Sequence, residues 1–589
     1  MNKPGISALA FVVGIALMLV AALIDYLGAM HILTAVRLTI FVLGAALIVI
    51  ALESMNVFSI REHLAERGHV YYGVFSYSAF VLTAGLVLAA YVFFISLGKW
   101  TNWPPSGDYY DRLAAAFASG HLYLKELPSP GLLALPNPYD PDARAGIPEI
   151  VPHTPTSIWD MSLYNGKVYP YWGPVPALLL IPLKLATGLV VGDQVLTLAF
   201  LSGAFILESL LLIGLWRRFF DDLPSWTVVA GMLVAAFVNP VPWLLFSPRI
   251  YEAAIAAGQF FFMGGLCAVL AALDRESVSK WRLALAAVLW ACAVASRATV
   301  AVAVAFLGLL LLLELLMRRR EEVPFTARLG SATAFAVPLL AGALLIGWYN
   351  LARFGNIFEF GFRYAITMLD QNRYHAVLFS PVYWRENAAL YLMNRPVLDN
   401  LFPFVKPVWN QASIAEFNRR IGGIYNAERM IGLVYAAPFL LLGLLAPALA
   451  LIGFPRRTPI PAGAEAGVEE PESTPFARRL IIALSALAVV ELAVVFLVFY
   501  GTMRYFMDAV PTLVILAMLG FWLGLRRLRT SGLPRAAFGF LGLALMLITV
   551  VMGVLVGFSS DVPRLKAANP WLLPHLRLFF MSLAQRIGR

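Results

Sequence analysis

With 589 residues, 60% of them hydrophobic and only 13% charged, and a mean hydropathy of +0.78, the chain cannot be a water-soluble globule. Soluble domains hold about 45–50% apolar and about 25% charged residues, because a globule's surface needs polar cover. The net charge of +10 does not point to nucleic acid: the 44 Lys and Arg sit mostly between apolar runs, where positive charge sets topology and meets anionic lipid.

Met1 to Leu23 carries one lysine and then an unbroken apolar run, longer than a signal-peptide core and without a clear small-residue cleavage site, which predicts a retained first helix. Apolar runs of bilayer-spanning length, about 20 residues, follow near 5–24, 33–53, 73–97, 195–216, 226–247, 250–273, 330–348, 428–454, 478–500, 506–525 and 536–558. The stretch 282–317, interrupted at Ser296-Arg297, reads as two helices in a tight hairpin. The expectation is an all-α polytopic membrane protein of about thirteen transmembrane helices. Cys267 and Cys292 lie inside these runs, read as small buried hydrophobes, and have no metal or disulfide spacing.

The run 174–192 contains two internal prolines and Lys184, which suit a helix lying at the interface better than a span. Charge arbitrates. If it does not cross, Arg217, Arg218, Arg282, Arg318, Arg319, Arg320, Arg456, Arg478 and Arg526 share one side, and short loops on the other hold only Arg249, Arg297 and Arg504. By the positive-inside rule the first side is cytoplasmic. Residues 1–558 then form one transmembrane domain with two long non-cytoplasmic loops, 98–194 and 349–427, and 559–589 is a short tail on that same outer side. The Pro-, Ala-, Glu- and Gly-rich stretch 458–475 reads as a flexible linker.

The first long loop opens with Gly107-Asp108-Tyr109-Tyr110-Asp111-Arg112-Leu113 and continues to Gly120-His121-Leu122-Tyr123-Leu124. From Tyr109 the apolar spacing predicts a helix stopped by Gly120, with Asp108 at the N-cap, where a carboxylate accepts backbone N–H bonds and meets the positive end of the helix dipole. Asp111 falls one turn later. Asp140, Asp142 and His153 match no known cation spacing and read as turn caps. Further on, Tyr164-Asn165-Gly166-Lys167 flanked by tyrosines predicts a β-hairpin. Its aromatic side chains are either an interfacial belt or a wall on which a sugar ring stacks. Two acids, Glu208 and Glu491, fall mid-span, where an ionisable group faces the bundle interior with a partner or marks a proton path.

Three segments together resemble a known family. They are Asp108-Tyr-Tyr-x-x-Leu-Ala with Gly120-His-x-Tyr-Leu; Asp160-x-Ser-x-Tyr164-Asn-Gly-Lys167-x-Tyr with Gly173-Pro-x-Pro; and Trp348-Tyr-Asn350-x-x-Arg353-Phe-Gly355 with Phe360-Gly-Phe-Arg-Tyr364. In order and in placement on one membrane face they look like bacterial GT-C glycosyltransferases. They are closest to the branch of the dolichyl-phosphate-mannose protein mannosyltransferases, family 39, which also holds the aminoarabinose transferases of lipid A. The resemblance runs over most of residues 70–525. The sequence departs from it in having two extra spans before the loop, where relatives usually have one, and in lacking the large soluble C-terminal domain of some relatives.

The resemblance implies a glycosyltransferase of the cytoplasmic membrane, active on its outer face. It would take a sugar from a polyprenyl phosphate and pass it, with inversion, to an envelope glycan, lipid or protein. It implies a catalytic aspartate in the first loop, Asp108 or Asp111, with the choice between them open. It also implies cations on the donor phosphate, for which Arg504, Arg249 and Arg297 are the candidates because they break the charge bias. Asp160, Tyr164, Lys167, Tyr171, Trp172 and Tyr505 are the sugar- or acceptor-binding candidates. No cofactor is expected, and a divalent-cation requirement stays open. The alternative is a transporter or flippase of a lipid-linked sugar, which Glu208 and Glu491 would serve.

Overall fold

The computed structural model describes residues 70–147, 157–273, 278–317, 323–409, 411–453 and 473–587, with scattered helical positions between 13 and 44. Apart from those positions the runs at 5–24 and 33–53 lie outside the described residues, as do His153 and most of the linker 458–475. The chain is an all-α polytopic membrane protein. Among the described residues eight helices are long and apolar enough to cross a bilayer. Hydrocarbon offers no partner to a backbone amide, so a spanning segment must satisfy its own hydrogen bonds, which a helix does.

The principal helices are α1 (Val70–Ile95), α2 (Tyr109–Ala118), α3 (Val175–Thr187), α4 (Asp193–Phe219), α5 (Trp226–Phe237), α6 (Val241–Phe246), α7 (Ile250–Leu273) and α8 (Lys280–Val294). They continue with α9 (Ala301–Met317), α10 (Phe325–Phe354), α11 (Trp384–Met393), α12 (Gln411–Ile421), α13 (Ser473–Phe496), α14 (Val510–Arg527), α15 (Gly532–Gly557), α16 (Val562–Ala568) and α17 (Leu572–Ile587). Helices α4, α7 and α14 form the buried centre. Helices α10 and α15 face outward, and leucines such as Leu344, 74% exposed, stand on their surface. An apolar face of that size belongs against lipid. Close packing rests on small residues: Gly265 admits the indole of Trp290, Gly342 meets Ala291, and Gly553 lies on the Phe237 carbonyl.

The expected runs are recovered at 250–273 and at the 282–317 hairpin, whose turn is Ala295–Arg297 followed by a 3-10 turn at Ala298–Val300. Two others are broken. The run 226–247 divides into α5 and α6 around Asn239-Pro240, because a proline has no N–H to continue the ladder. The run 428–454 becomes three pieces, Leu433–Ala436, Pro438–Leu444 and Leu445–Ile452. Helix α3 has 13 residues and is therefore about 20 Å long, short of a hydrocarbon core of about 30 Å.

The described parts of both long loops gather at one end of the bundle. There α2 packs on α3, the hairpin β1 (Ser162–Tyr164) and β2 (Lys167–Tyr169) pairs antiparallel, and β3 (Asn426–Ala427) pairs in parallel with β4 (Tyr500–Gly501). Asn165 and Gly166 both have positive φ, 49° and 70°, the backbone that a two-residue type I′ hairpin turn requires.

Candidate active site at the loop-bearing end

Asp108 stands at the N-cap position of α2, but its side chain makes no capping bond. The capping carboxylate comes from the first residue of α4: Asp193 accepts the Tyr109 and Tyr110 amides, each at 3.4 Å. This corrects the expected cap. The helix end is satisfied by a residue 84 positions away, which relieves the half-buried Asp108 carboxylate of capping. Burial raises its pKa from the ordinary value, Arg112 opposes that, and Asp111 and Glu126 add to it. Asp111 is differently placed. It is buried, meets the Lys184 ammonium at 2.5 Å and accepts the Val191 amide at 3.1 Å, so it fastens α2 to the end of α3.

The hairpin does not present all its side chains to one place. Tyr164 packs on Tyr364 and Phe354, with ring centroids 4.7 and 5.7 Å away, and Lys167 lies over Tyr123 at 4.4 Å. Neither lines the cavity at this end of the bundle. Tyr171 does, with Trp172 stacked behind it at 4.3 Å. Just before the hairpin, Asp160 holds φ 60°, uncommon for a residue with a side chain. Its amide donates to Ile366 O at 2.8 Å, and its carboxylate accepts the Tyr251 hydroxyl.

Asp160 lies on the wall of a cavity of about 580 Å³. The bundle side of that cavity carries Arg249, Tyr251, Glu428, Tyr500, Arg504 and Tyr505, and the loop side is formed by parts of 362–426. Two of the three arginines singled out from the sequence therefore meet there. Arg504 sits on a 3-10 turn, Met503–Asp508, ahead of α14. Its Nη1 bonds Glu428 at 2.9 and 3.2 Å, and its guanidinium lies 4.7 Å over the Tyr251 ring. The β3–β4 pairing brings Glu428 there, because the Glu428 amide donates to Gly501 O at 2.8 Å. Thr502 Oγ1 adds a bond to the same carboxylate at 2.6 Å.

Arg249 precedes α7 and bonds Asp561 at 2.9 Å. Arg297 does not line the cavity. It is held in a two-point bond to Asp508 at 2.7 and 2.9 Å, behind the Tyr505 ring.

The electrostatics are divided. Burial pushes the Asp160 carboxyl up to about 7, against the pull of Arg504 and Arg144. For Glu428 burial acts in the same sense, but Arg504 and the bonds from Thr502 and Arg504 outweigh it, and the carboxyl lies below its ordinary range. Burial works against the charge of Arg504, yet Glu428 and then Glu252 hold it firmly protonated. The site thus offers a fixed cation, a fixed anion and a carboxyl poised near neutrality. That combination can hold a phosphate and take up a proton.

Sequence reasoning missed Glu428, Tyr251, Tyr500 and Asp193. Tyr251 was in sight beside Arg249, whereas Glu428 stood at the edge of an apolar run with no local signal. Asp140 behaves as a turn cap, accepting the Asp142 amide at 3.0 Å. Glu208 and Glu491 are buried within α4 and α13, away from the cavity, and Glu491 borders a separate void with Gln259, Thr299 and Asp508.

No protein-family profile and no curated protein matches the chain. Among solved structures, the crystal structure of the Archaeoglobus fulgidus oligosaccharyltransferase in the apo form aligns with a TM-score of 0.43 at 11% identity, over 82% of this chain and 56% of that one. The chain thus spans little more than half the length of that protein.

Proposed function

We propose that the protein is a membrane glycosyltransferase of GT-C type that moves a sugar from a polyprenyl phosphate to an acceptor hydroxyl. The observation that carries this reading is the meeting of Arg504, Arg249 and Asp160 on one cavity at the loop-bearing end. In the reaction the acceptor oxygen bonds the anomeric carbon as the bond from that carbon to the phosphate oxygen breaks. The electron pair leaves with the phosphate, and the acceptor proton passes to a carboxylate. Displacement from the opposite face inverts the anomeric centre. The leaving charge needs preorganised cations, and Arg504 and Arg249 supply them. The Arg504 Nε has no partner among the described residues, so it keeps a donor for a phosphate oxygen.

We assign the base to Asp160, the carboxyl on the cavity wall that titrates near neutrality. A second reading gives that role to Asp108, as the family resemblance has it. The observation favouring it is that Asp193 relieves Asp108 of capping. The donor's lipid tail would lie among the helices. We place the cavity on the non-cytoplasmic face of the cytoplasmic membrane, because the arginine-rich helix ends, among them Arg217, Arg282 and Arg526, lie on the far side of the bundle. The cavity is confined to one end and does not reach Glu208 or Glu491, which favours an enzyme over a transporter.

Native mass spectrometry of the purified protein with polyprenyl phosphate tests the donor site. The wild-type protein is expected to retain the lipid and Arg504→Gln to lose most of it. Equal retention by both would remove the phosphate role of Arg504.

A further inference from the structure

The bundle side of the cavity is charged, but the wall formed by 362–426 carries no charged side chain. Four residues of α12 line it, Gln411, Ile414, Ala415 and Asn418, at the i, i+3, i+4, i+7 spacing of a single helix face. Gln371, at the start of a short helix, and Asn426 of β3 join them. The segment 362–426 is rich in Asp, Glu, Lys and Arg, yet none of these lines the cavity. Asp370 is turned to Asn137, Arg363 to Asn372, and Arg420 to Glu386. No charged side chain of this segment lines the cavity, and its polar wall is made chiefly of four carboxamides, Gln371, Gln411, Asn418 and Asn426.

Two of those carboxamides carry unmet hydrogen-bonding capacity. Gln371 is 5% exposed, and its Oε1 is buried with no partner among the described residues. Asn418 donates from Nδ2 to Tyr425 O at 2.6 Å, which fixes the orientation of the amide, and its Oδ1 is likewise buried without a partner. A buried acceptor left unpaired costs free energy that a ligand donor recovers. Flat aromatic faces stand around them: Trp159, Tyr171, Phe362 and Tyr425 line the same space.

We propose that this half of the cavity is the acceptor subsite and that its ligand is an uncharged saccharide. The inference rests on the transferase reading and names its acceptor class. A sugar hydroxyl both donates and accepts, which matches the two ends of a carboxamide, and the C–H face of a pyranose stacks on an aromatic ring. An anionic acceptor, a uronate or a phosphorylated lipid, would find no cation on this wall. The cations of the bundle side stay with the donor phosphate.

The test is binding by the full-length protein to an array of neutral and acidic oligosaccharides and uncharged Ser- and Asn-rich peptides, alongside its retention of polyprenyl phosphate. Neutral oligosaccharides should be captured. Gln371→Leu and Asn418→Leu should each weaken that capture about three- to ten-fold, the worth of one hydrogen bond. Gln371 is buried, so Gln411→Ala on the exposed helix face gives a second measure in a variant that folds, with a loss in the same sense. Preference for acidic glycans or for peptides overturns the proposal. Polyprenyl phosphate bound with no oligosaccharide captured removes the subsite and leaves the transferase reading standing. Oligosaccharide captured with no polyprenyl phosphate removes the transferase reading and the acceptor assignment with it.

Discussion

Replacing Asp160 by asparagine separates the chemistry of the cavity from its architecture. Burial holds this carboxyl at about 7 instead of the ordinary 3.8, so at neutral pH about half of it is already uncharged. An asparagine amide oxygen can still accept the Tyr251 hydroxyl, and the cost in stability should stay within about 1 kcal/mol. The cost in rate should be far larger. A positioned general base is worth about 10²–10⁴-fold, or about 2.7–5.4 kcal/mol of barrier at about 1.36 kcal/mol per decade. The measurement is release of polyprenyl phosphate from its sugar conjugate by purified protein in lipid nanodiscs, as kcat/KM against pH, which reports groups of the free enzyme. A base works deprotonated, so the wild-type rate should rise through about 7 and level above it. Asp160→Asn should lose that limb along with the activity, and Asp108→Asn should keep it. If Asp160→Asn retains more than about a tenth of the wild-type rate while Asp108→Asn abolishes the rise, the base is Asp108 and the cavity assignment fails.

Arg504→Lys keeps a positive charge beside Glu428 but gives up the planar fork, so kcat/KM for the donor should fall about 10–100-fold with the fold intact; an unchanged value would mean that Arg504 is only a structural partner. Glu428 is held below its ordinary 4.5, chiefly by Arg504 against the effect of burial. The stability it adds is therefore present above about 4.5 and lost as pH falls through its folded value. Melting temperatures taken from pH about 7 to about 4 should drop less in Glu428→Gln than in the wild-type protein, and parallel curves would refute the linkage. Lys184→Met leaves the buried Asp111 with only the Val191 amide, a loss of about 3 kcal/mol that thermal unfolding should register as a fall of about 2–3 degrees. Adding Asp111→Asn should restore part of it, and no fall in the single variant would show that the pair does not fasten α2 to α3.

Much of the fold was legible because it depends on local pattern. Runs such as 250–273 announce themselves by length and apolarity, and Asn165-Gly166 specifies its turn through the two residues that tolerate positive φ. The broken runs were legible in part: Pro240 and Pro438 were in the sequence, but a proline inside an apolar run gives no warning of how far the two halves separate. The candidate site was less legible, since its pairs join distant segments. Glu428 and Arg504 are 76 residues apart, and the strand pairing that unites them covers two residues on each side, too short for any periodicity to reveal.

What did carry across was a charge argument. Arg249, Arg297 and Arg504 broke the bias of positive charge, and an arginine placed against topology at the edge of a bilayer needs a counter-charge to stay there. Each has one: Asp561, Asp508 and Glu428. That common solution also shows why the signal overreached. It finds arginines with a partner, not arginines with a ligand, and the partner geometry separates the cases. Arg297 gives both ends of its fork to Asp508 behind Tyr505, and we assign it to structure. Arg504 offers Glu428 only its Nη1 and leaves Nε without a bond among the described residues. An arginine that is anchored at one nitrogen and unpaired at another can hold its position and still have a donor left for a phosphate oxygen.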